Sequence, residues 1–278
     1  MIVTLVGCGQ GFSELETSTD IDQQTSTADL STLGTVSTIF IGTKDDADCS
    51  ILQVKEGEST KTIMIDTGEE QDAEHILEVL KENEIEELEL LIITHPDKDH
   101  IGGLEDIVSS ISIKEVVIPY YKEPNEKYMR LLKRVTPIKN KVTVLTENET
   151  RTYGGLSLFL YAPKETYYKK DNNYSIATLV QYGEVRMFFA GDAMKDRTRE
   201  LLKENLPQVD LYKIAYHGRE YKDFDQLFWE LNPTYTVVTA KEAEEEVYEV
   251  LEESGTQIFY TRNQDLYFET DGINLNIL

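Results

Sequence analysis

Residues 94–103 read Thr-His-Pro-Asp-Lys-Asp-His-Ile-Gly-Gly and place His95, Asp97, Asp99 and His100 within six positions. Imidazole nitrogens and carboxylate oxygens are ligands that divalent metals accept, so four of them on one short stretch point to a metal-binding loop. A solvated polar turn is the plainer use of such residues, but two histidines beside two aspartates favour the metal. Two later positions join the list. Asp192 closes Met187-Phe-Phe-Ala-Gly191-Asp192, and His217 follows Lys213-Ile-Ala-Tyr216. Alone, each is weak evidence, since an Asp after a strand is commonly a cap or turn former. His75, in an ordinary amphipathic pattern, reads as structural.

The elements that must position these residues follow from apolar periodicity. Leu88–Thr94 has the character of a buried strand delivering its C-terminal end to the ligand-rich loop, and Gly102-Gly103 lets the backbone turn into the next helix. Ser37–Gly42, Ser50–Val54 and Thr62–Ile65 read as strands, the last running into Asp66-Thr67-Gly68. Helical patterns cover 69–82, 101–110, 125–134, 194–204, 222–231 and 241–253. Strands are expected at 114–119, 141–146, 152–161, 174–182, 185–190, 209–214, 234–239, 257–261, 265–269 and 273–277. Three separate predicted strands thus end in His or Asp, and strand ends gathered at one sheet edge hold ligands rigidly. Mixed strands and helices in this order suit a layered α/β sandwich.

The chain has 278 residues, 27 Lys+Arg against 52 Asp+Glu, and a net charge of −25. That field disfavours nonspecific nucleic-acid binding, although a local cationic patch overrides it within a Debye length of about 8–10 Å. Two cysteines, Cys8 and Cys49, are too few for a disulfide framework. No apolar run approaches the roughly 20 residues of a membrane span.

The first residues end in Leu5-Val6-Gly7-Cys8, which resembles the cleavage box of bacterial lipoproteins. A full signal has a basic start and a longer apolar stretch, both missing here. The two readings are a signal cut short and an ordinary apolar start. Residues 9–35 favour the first: they hold no Lys or Arg, five acids and many Ser, Thr and Gln, a composition that suits a tether. Residues 1–35 are therefore read as a leader, with Cys8 as a membrane tether on the extracellular face. The alternative is a cytoplasmic protein with a disordered tail.

The ordered set of motifs resembles the metallo-β-lactamase-fold hydrolases, and more narrowly the hydrolase domain of ComEC-type competence proteins. The carriers are His95-Pro-Asp97-Lys-Asp99-His100-Ile-Gly-Gly, Asn172-Asn173-Tyr-Ser175-Ile, Phe189-Ala-Gly191-Asp192 and Tyr216-His217-Gly218. The resemblance implies an α/β fold, a four-layer αββα sandwich, over residues 36–278. It also implies two divalent ions, zinc or manganese. His95, Asp97 and Asp192 would hold one, and Asp99, His100, Asp192 and His217 the other, with Asp192 bridging. Three departures stand out. Asp97 replaces the usual second histidine, and no His lies between 101 and 216, so the first set is rich in oxygen and suits a harder ion. The branch's His-His-Gly is Tyr-His-Gly here. Its later Gly-His-Pro has no counterpart near Lys241–Glu246, which leaves Tyr216 as the nearest proton donor.

The resemblance implies a hydrolase using metal-activated water, with phosphodiesters as the substrate class. Asp97 is a ligand or a proton acceptor, and Asn172, Asn173 and Ser175 are candidates to line the substrate site. The substrate is a small molecule, an envelope polymer or a nucleic acid, and nothing in the sequence signals a protein partner. The competing readings are a non-catalytic metal-binding envelope lipoprotein and a lactonase or other ester hydrolase on the same site.

Overall fold

A computed structural model describes residues 34–138 and 141–278. The leader and its Cys8 tether lie outside the described residues, apart from Gly34 and Thr35 at its end. Two sheets face each other. The first runs in spatial order Leu275–Ile277, Leu266–Thr270, Thr35–Phe40, Ser50–Glu56, Ser59–Ile65, Leu90–Ile92, Glu115–Pro119 and Lys141–Leu145. The second runs Gln257–Tyr260, Tyr235–Val238, Leu211–Lys213, Val185–Phe189, Ala177–Tyr182, Leu156–Tyr161 and Glu149–Tyr153.

Alternation of side chains across each strand divides the apolar residues into three cores. Phe40, Leu52, Ile63, Ile65, Ile92 and Val117 of the first sheet meet Leu158, Val180, Met187, Phe189, Leu211 and Val237 of the second. The neighbours that point the other way, Ile39, Ile51, Met64, Leu91 and Val116, pack under Ile76, Leu80, Leu104, Ile107 and Leu131. Those five belong to helices Ala73–Glu82, Leu104–Ser110 and Glu126–Val135. On the far side, Leu179, Phe188 and Tyr212 pack under Leu201, Phe228 and Leu251, from helices Lys195–Leu201, Phe224–Leu231 and Glu245–Ser254. Helix, sheet, sheet, helix is the expected four-layer order, and period-two burial on both faces is what makes a sandwich rather than a one-sided sheet.

The topology brings the functional loops to one edge. Ser59–Ile65, Leu90–Ile92 and Glu115–Pro119 are parallel neighbours in the first sheet. Val185–Phe189, Leu211–Lys213 and Tyr235–Val238 are parallel neighbours in the second. Parallel strands all end on the same side, so the segments after Ile65, Ile92, Phe189, Lys213 and Val238 meet there, as in other open α/β sheets.

Two sequence expectations change. The run 152–161 is a hairpin, Glu149–Tyr153 paired with Leu156–Tyr161, because Gly154 at φ 62° turns the chain. Gly102 and Gly103 have ordinary helical dihedrals (φ −60° and −78°), so they do not serve a turn that only glycine can make. They are required by contact: a Cβ on Gly102 would lie 2.3 Å from the Glu70 nitrogen, and one on Gly103 would lie 2.5 Å from the Thr67 oxygen. This close approach lets Gly102 N–H donate to Gly68 O at 2.8 Å and locks the metal loop against the segment after Ile65.

Arg197 secures the opposite wall. It is fully buried, and its guanidinium donates to Ser175 O (2.9 Å), Tyr161 O (2.6 Å) and Glu200 Oε2 (2.7 Å). Truncation would remove a donor from two carbonyls and leave the buried Glu200 carboxylate without its cation. Arg197→Ala should lower unfolding free energy by about 3–5 kcal/mol in urea denaturation; an unchanged midpoint would refute this role.

Candidate metal centre

Four ligand groups converge at the common edge. One ligand atom from each of Asp99, His100, Asp192 and His217 lies within 4.8 Å of all the others. Asp192 Oδ1 is 3.4 Å from His100 Nε2 and 3.3 Å from His217 Nε2, and Asp99 Oδ2 is 3.3 Å from His217 Nε2. Asp192 Oδ1 and both Nε2 atoms are buried and have no hydrogen-bond partner. Buried polar atoms are nearly always paired, so three orphans aimed at one point fit a cation at that point. Asp99 is the solvent side of the cluster, with 19% of its side chain exposed against 0–2% for the other three.

The backbone is bent to make this possible. His217 and Tyr216 sit in the left-handed region at φ 55° and 53°, and Asp66 does so at φ 59°. Non-glycine residues held there cost about 1–3 kcal/mol each and persist where surrounding contacts enforce them. Gly191, at φ 55°, must stay small because a Cβ would lie 2.9 Å from Thr94 Cβ.

Behind the ligands stands a second rank that the sequence reading did not name as site residues. Asp66 Oδ2 lies 2.7 Å from His100 Nδ1, and the same carboxylate accepts from Thr94 N–H (2.8 Å) and Thr94 O–H (2.7 Å). Asp48 Oδ1 lies 3.3 Å from His217 Nδ1, which is also 3.1 Å from Thr239 Oγ1. Asp48 is itself held by the buried Lys213 ammonium. Partners on Nδ1 fix each ring and leave Nε2 as the ligand atom. Asp66 had a legible signal, since it ends an apolar strand as Asp192 does. Asp48 did not: in Asp45-Asp46-Ala-Asp48 it looks like any solvated acidic run.

The set expected for the other ion is gathered differently. His95 Nε2 is buried and unpartnered but lies 4.0 Å from Asp192 Oδ2. Asp192 Oδ2 accepts from Asn172 Nδ2 at 3.0 Å, and Asp97 Oδ1 accepts from Lys127 Nζ at 2.7 Å. Asn172, expected to line the substrate site, thus reaches the Asp192 carboxylate. Asn173 and Ser175 do not line an open cleft. Both are buried: Asn173 Oδ1 accepts from Arg197 N–H (3.2 Å), and Ser175 Oγ accepts from Asp192 N–H (3.1 Å) beside His95 Nδ1 (3.4 Å). They brace the ligands because the loop turns its short polar groups inward. The Tyr216 ring lies against Tyr221 and beneath the Arg219 guanidinium. His75 bonds Asp265 at 2.9 Å and is structural.

Electrostatics follow from this geometry. Burial pushes the Asp192 carboxyl up, but His217 and His100 outweigh it and hold the group well below its ordinary range. Asp99 falls to about 2, burial again being overcome by His100 and His217. The reciprocal effect raises His100, where Asp192, Asp66 and Asp99 outweigh burial, and His217, where Asp192 and Asp48 do so. His95 goes the other way: burial and the neighbouring His100 hold it below the usual imidazole value.

Comparison with known proteins agrees with this geometry. Residues 42–228 match the family model of the metallo-beta-lactamase superfamily. Recombination protein 2 of Haemophilus influenzae is 25% identical over 153 residues, 55% of this chain and 18% of that protein. ComE operon protein 3 of Bacillus subtilis is 23% identical over 160 residues, 56% of this chain and 20% of that protein. The chain thus matches about a fifth of the length of these curated relatives. Among solved structures, the metallo-beta-lactamase fold protein YhfI of Bacillus subtilis superposes with a TM-score of 0.57 at 10% identity, covering 85% of this chain and all of that one. A diphosphatase from the PhnP family gives 0.50 at 16% identity, covering 84% of this chain and 97% of that one. At such identities the structural likeness shows the fold alone.

Metal ligation requires neutral imidazole, and the surrounding carboxylates raise both His100 and His217 above the usual imidazole range. Cation uptake should therefore release protons, and affinity should rise from about pH 6 to about pH 8. Calorimetric titration of chelator-treated protein in buffers of different ionisation enthalpy measures this; binding without proton release would contradict it. Asp66→Asn should weaken the ion by roughly 10–100-fold in the same titration, as loss of a partner behind a ligand does.

Proposed function

Because the chain belongs to the metallo-beta-lactamase superfamily, we propose that it is a metal-dependent hydrolase and that the bond it cleaves is a phosphodiester. The observation that carries this reading is the convergence of Asp192 Oδ1, His100 Nε2 and His217 Nε2, buried and unpartnered, beside the half-open Asp99. Two imidazoles and two carboxylates form a donor set suited to zinc and also acceptable to manganese. A divalent ion held there supplies Lewis-acid chemistry, lowering the pKa of water and neutralising charge on a phosphoryl oxygen.

The chain's own residues supply the rest. Asp66 and Asp48 orient the two imidazoles, and Asn172 holds Asp192 Oδ2. His95, whose Nε2 is buried, unpartnered and 4.0 Å from Asp192 Oδ2, presents that nitrogen as a proton acceptor for the attacking water. Asp99 marks the side from which water and substrate enter.

Support for the phosphodiester comes from charge and from relatives. Helix Glu126–Val135 carries Lys127, Arg130, Lys133 and Arg134 in a chain of net charge −25. It lies against the metal loop through Lys127 on Asp97 and Arg134 on the Ile101 carbonyl. A local cationic helix beside the site offsets the acidic surface within a Debye length. One sequence relative is a recombination protein, and recombination acts on a polymer of phosphodiesters.

The metal-reconstituted protein should hydrolyse bis-p-nitrophenyl phosphate, and Asp192→Ala should lose at least about a hundredfold in rate. Equal rates would reject the site. Turnover of lactones or carboxylic esters with the phosphodiester untouched would reject the bond type and keep the metal centre.

A further inference from the structure

The two halves of the site differ in what already faces them. On the Asp99–His100–Asp192–His217 side, Asp192 Oδ1 and two imidazole nitrogens have no hydrogen-bond partner. On the other side one oxygen of each carboxylate already accepts an N–H donor. Lys127 Nζ donates to Asp97 Oδ1 at 2.7 Å, and Asn172 Nδ2 donates to Asp192 Oδ2 at 3.0 Å. Among the described residues, ligand atoms gather within 4.8 Å in two groups, Asp99 with His100, Asp192 and His217, and Asp48 with Asp66 and His100, and neither includes Asp97.

Lys127 is not a loosely placed surface lysine. It occupies the first turn of helix Glu126–Val135, which Asn125 caps by accepting from Tyr128 N–H at 2.9 Å. Its ammonium is also 3.3 Å from Asp171 Oδ2, and Asp171 is fixed by Asn125 Nδ2 at 2.7 Å. The contrast is Lys98, whose side chain is 77% exposed and pairs with Glu69. Lys127 keeps 45% of its side chain accessible, so an incoming ligand can reach it. An ammonium has three N–H donors; one goes to Asp97, and Asp171 stands beside it as an ion pair.

We propose that this chain binds one metal ion, at Asp99, His100, Asp192 and His217, and that the Lys127 ammonium replaces a second ion as the cation gripping the substrate phosphoryl group. A dinuclear site sets two positive charges on either side of the reacting phosphorus. Here one of them is a point charge on a helix, delivered to the position where Asp97 would otherwise hold metal. Such a lysine binds phosphate by a charge-assisted hydrogen bond. Asp97 then positions the lysine rather than an ion, and His95 Nε2 stays free to take a proton. The substrate half of this proposal rests on the phosphodiester reading; the ion count does not.

The test counts ions rather than turnovers. Full-length wild type, Lys127→Met and Lys127→Arg are stripped with chelator, loaded with excess zinc or manganese, desalted and measured by plasma mass spectrometry. Wild type and K127R should retain about one ion per chain, and K127M about two, because Asp97 is then released to bind beside the unpartnered His95 Nε2. With bis-p-nitrophenyl phosphate, K127M should raise KM about tenfold, as expected for loss of one charged hydrogen bond, and K127R should restore it. Two ions in the wild type, or one in K127M, would overturn the ion count while leaving the hydrolase reading intact. An unchanged KM in K127M would overturn the substrate role. Retention of no ion by any of the three would overturn both this proposal and the function on which it builds.

Discussion

Asp192 is a carboxylate sealed from water, and it stays charged there because His100 and His217 flank it. Buried charge is costly unless paired, so the position of this group constrains everything around it. Its two imidazole partners come from different sheets and need their own supports. Asp66 stands behind one, and Asp48 with Lys213 behind the other. With both imidazoles neutral, four carboxylates, Asp48, Asp66, Asp99 and Asp192, face one ammonium, an excess that a divalent cation largely offsets. The four side chains proposed to hold the ion are thus also those whose charges must balance inside the folded chain.

The fold meets that requirement by ordinary means. Parallel strands in two facing sheets end at one edge, and the segment after each end is pinned by backbone contacts. Thr94 shows how tightly the sheets are joined: its N–H and O–H both donate to Asp66, while its carbonyl accepts from Ile176 N–H at 3.0 Å. Gly102, Gly103 and Gly191 sit where a Cβ would meet a neighbour at 2.3–2.9 Å, so contact distance holds the loops in register. Strain at Asp66, Tyr216 and His217 is tolerated because the sandwich around them is rigid.

Much of this was legible in the sequence, for reasons that can be named. Ligands on strand ends announce themselves, because an apolar run stops at a polar group that water alone would not demand. That rule found His95, Asp192 and His217, and applied evenly it would have found Asp66. Period-two burial revealed the strands and the layered class. The illegible part depends on long-range pairing. Asp48 becomes a support only through Lys213, 165 positions away. Lys127 reads as one more base on a polar helix face until the fold sets it on Asp97. Asn173 and Ser175 look like a polar turn open to substrate, and only packing against Arg197 shows them turned inward.

The central claim is that Asp99, His100, Asp192 and His217 cage a cation. Anomalous diffraction from crystals grown with manganese or zinc tests it most directly. The account expects the strongest peak among Asp192 Oδ1, His100 Nε2, His217 Nε2 and the Asp99 carboxylate, at bonding distance from all four. A peak confined to the acidic surface, with these four side chains closed on one another, would contradict it.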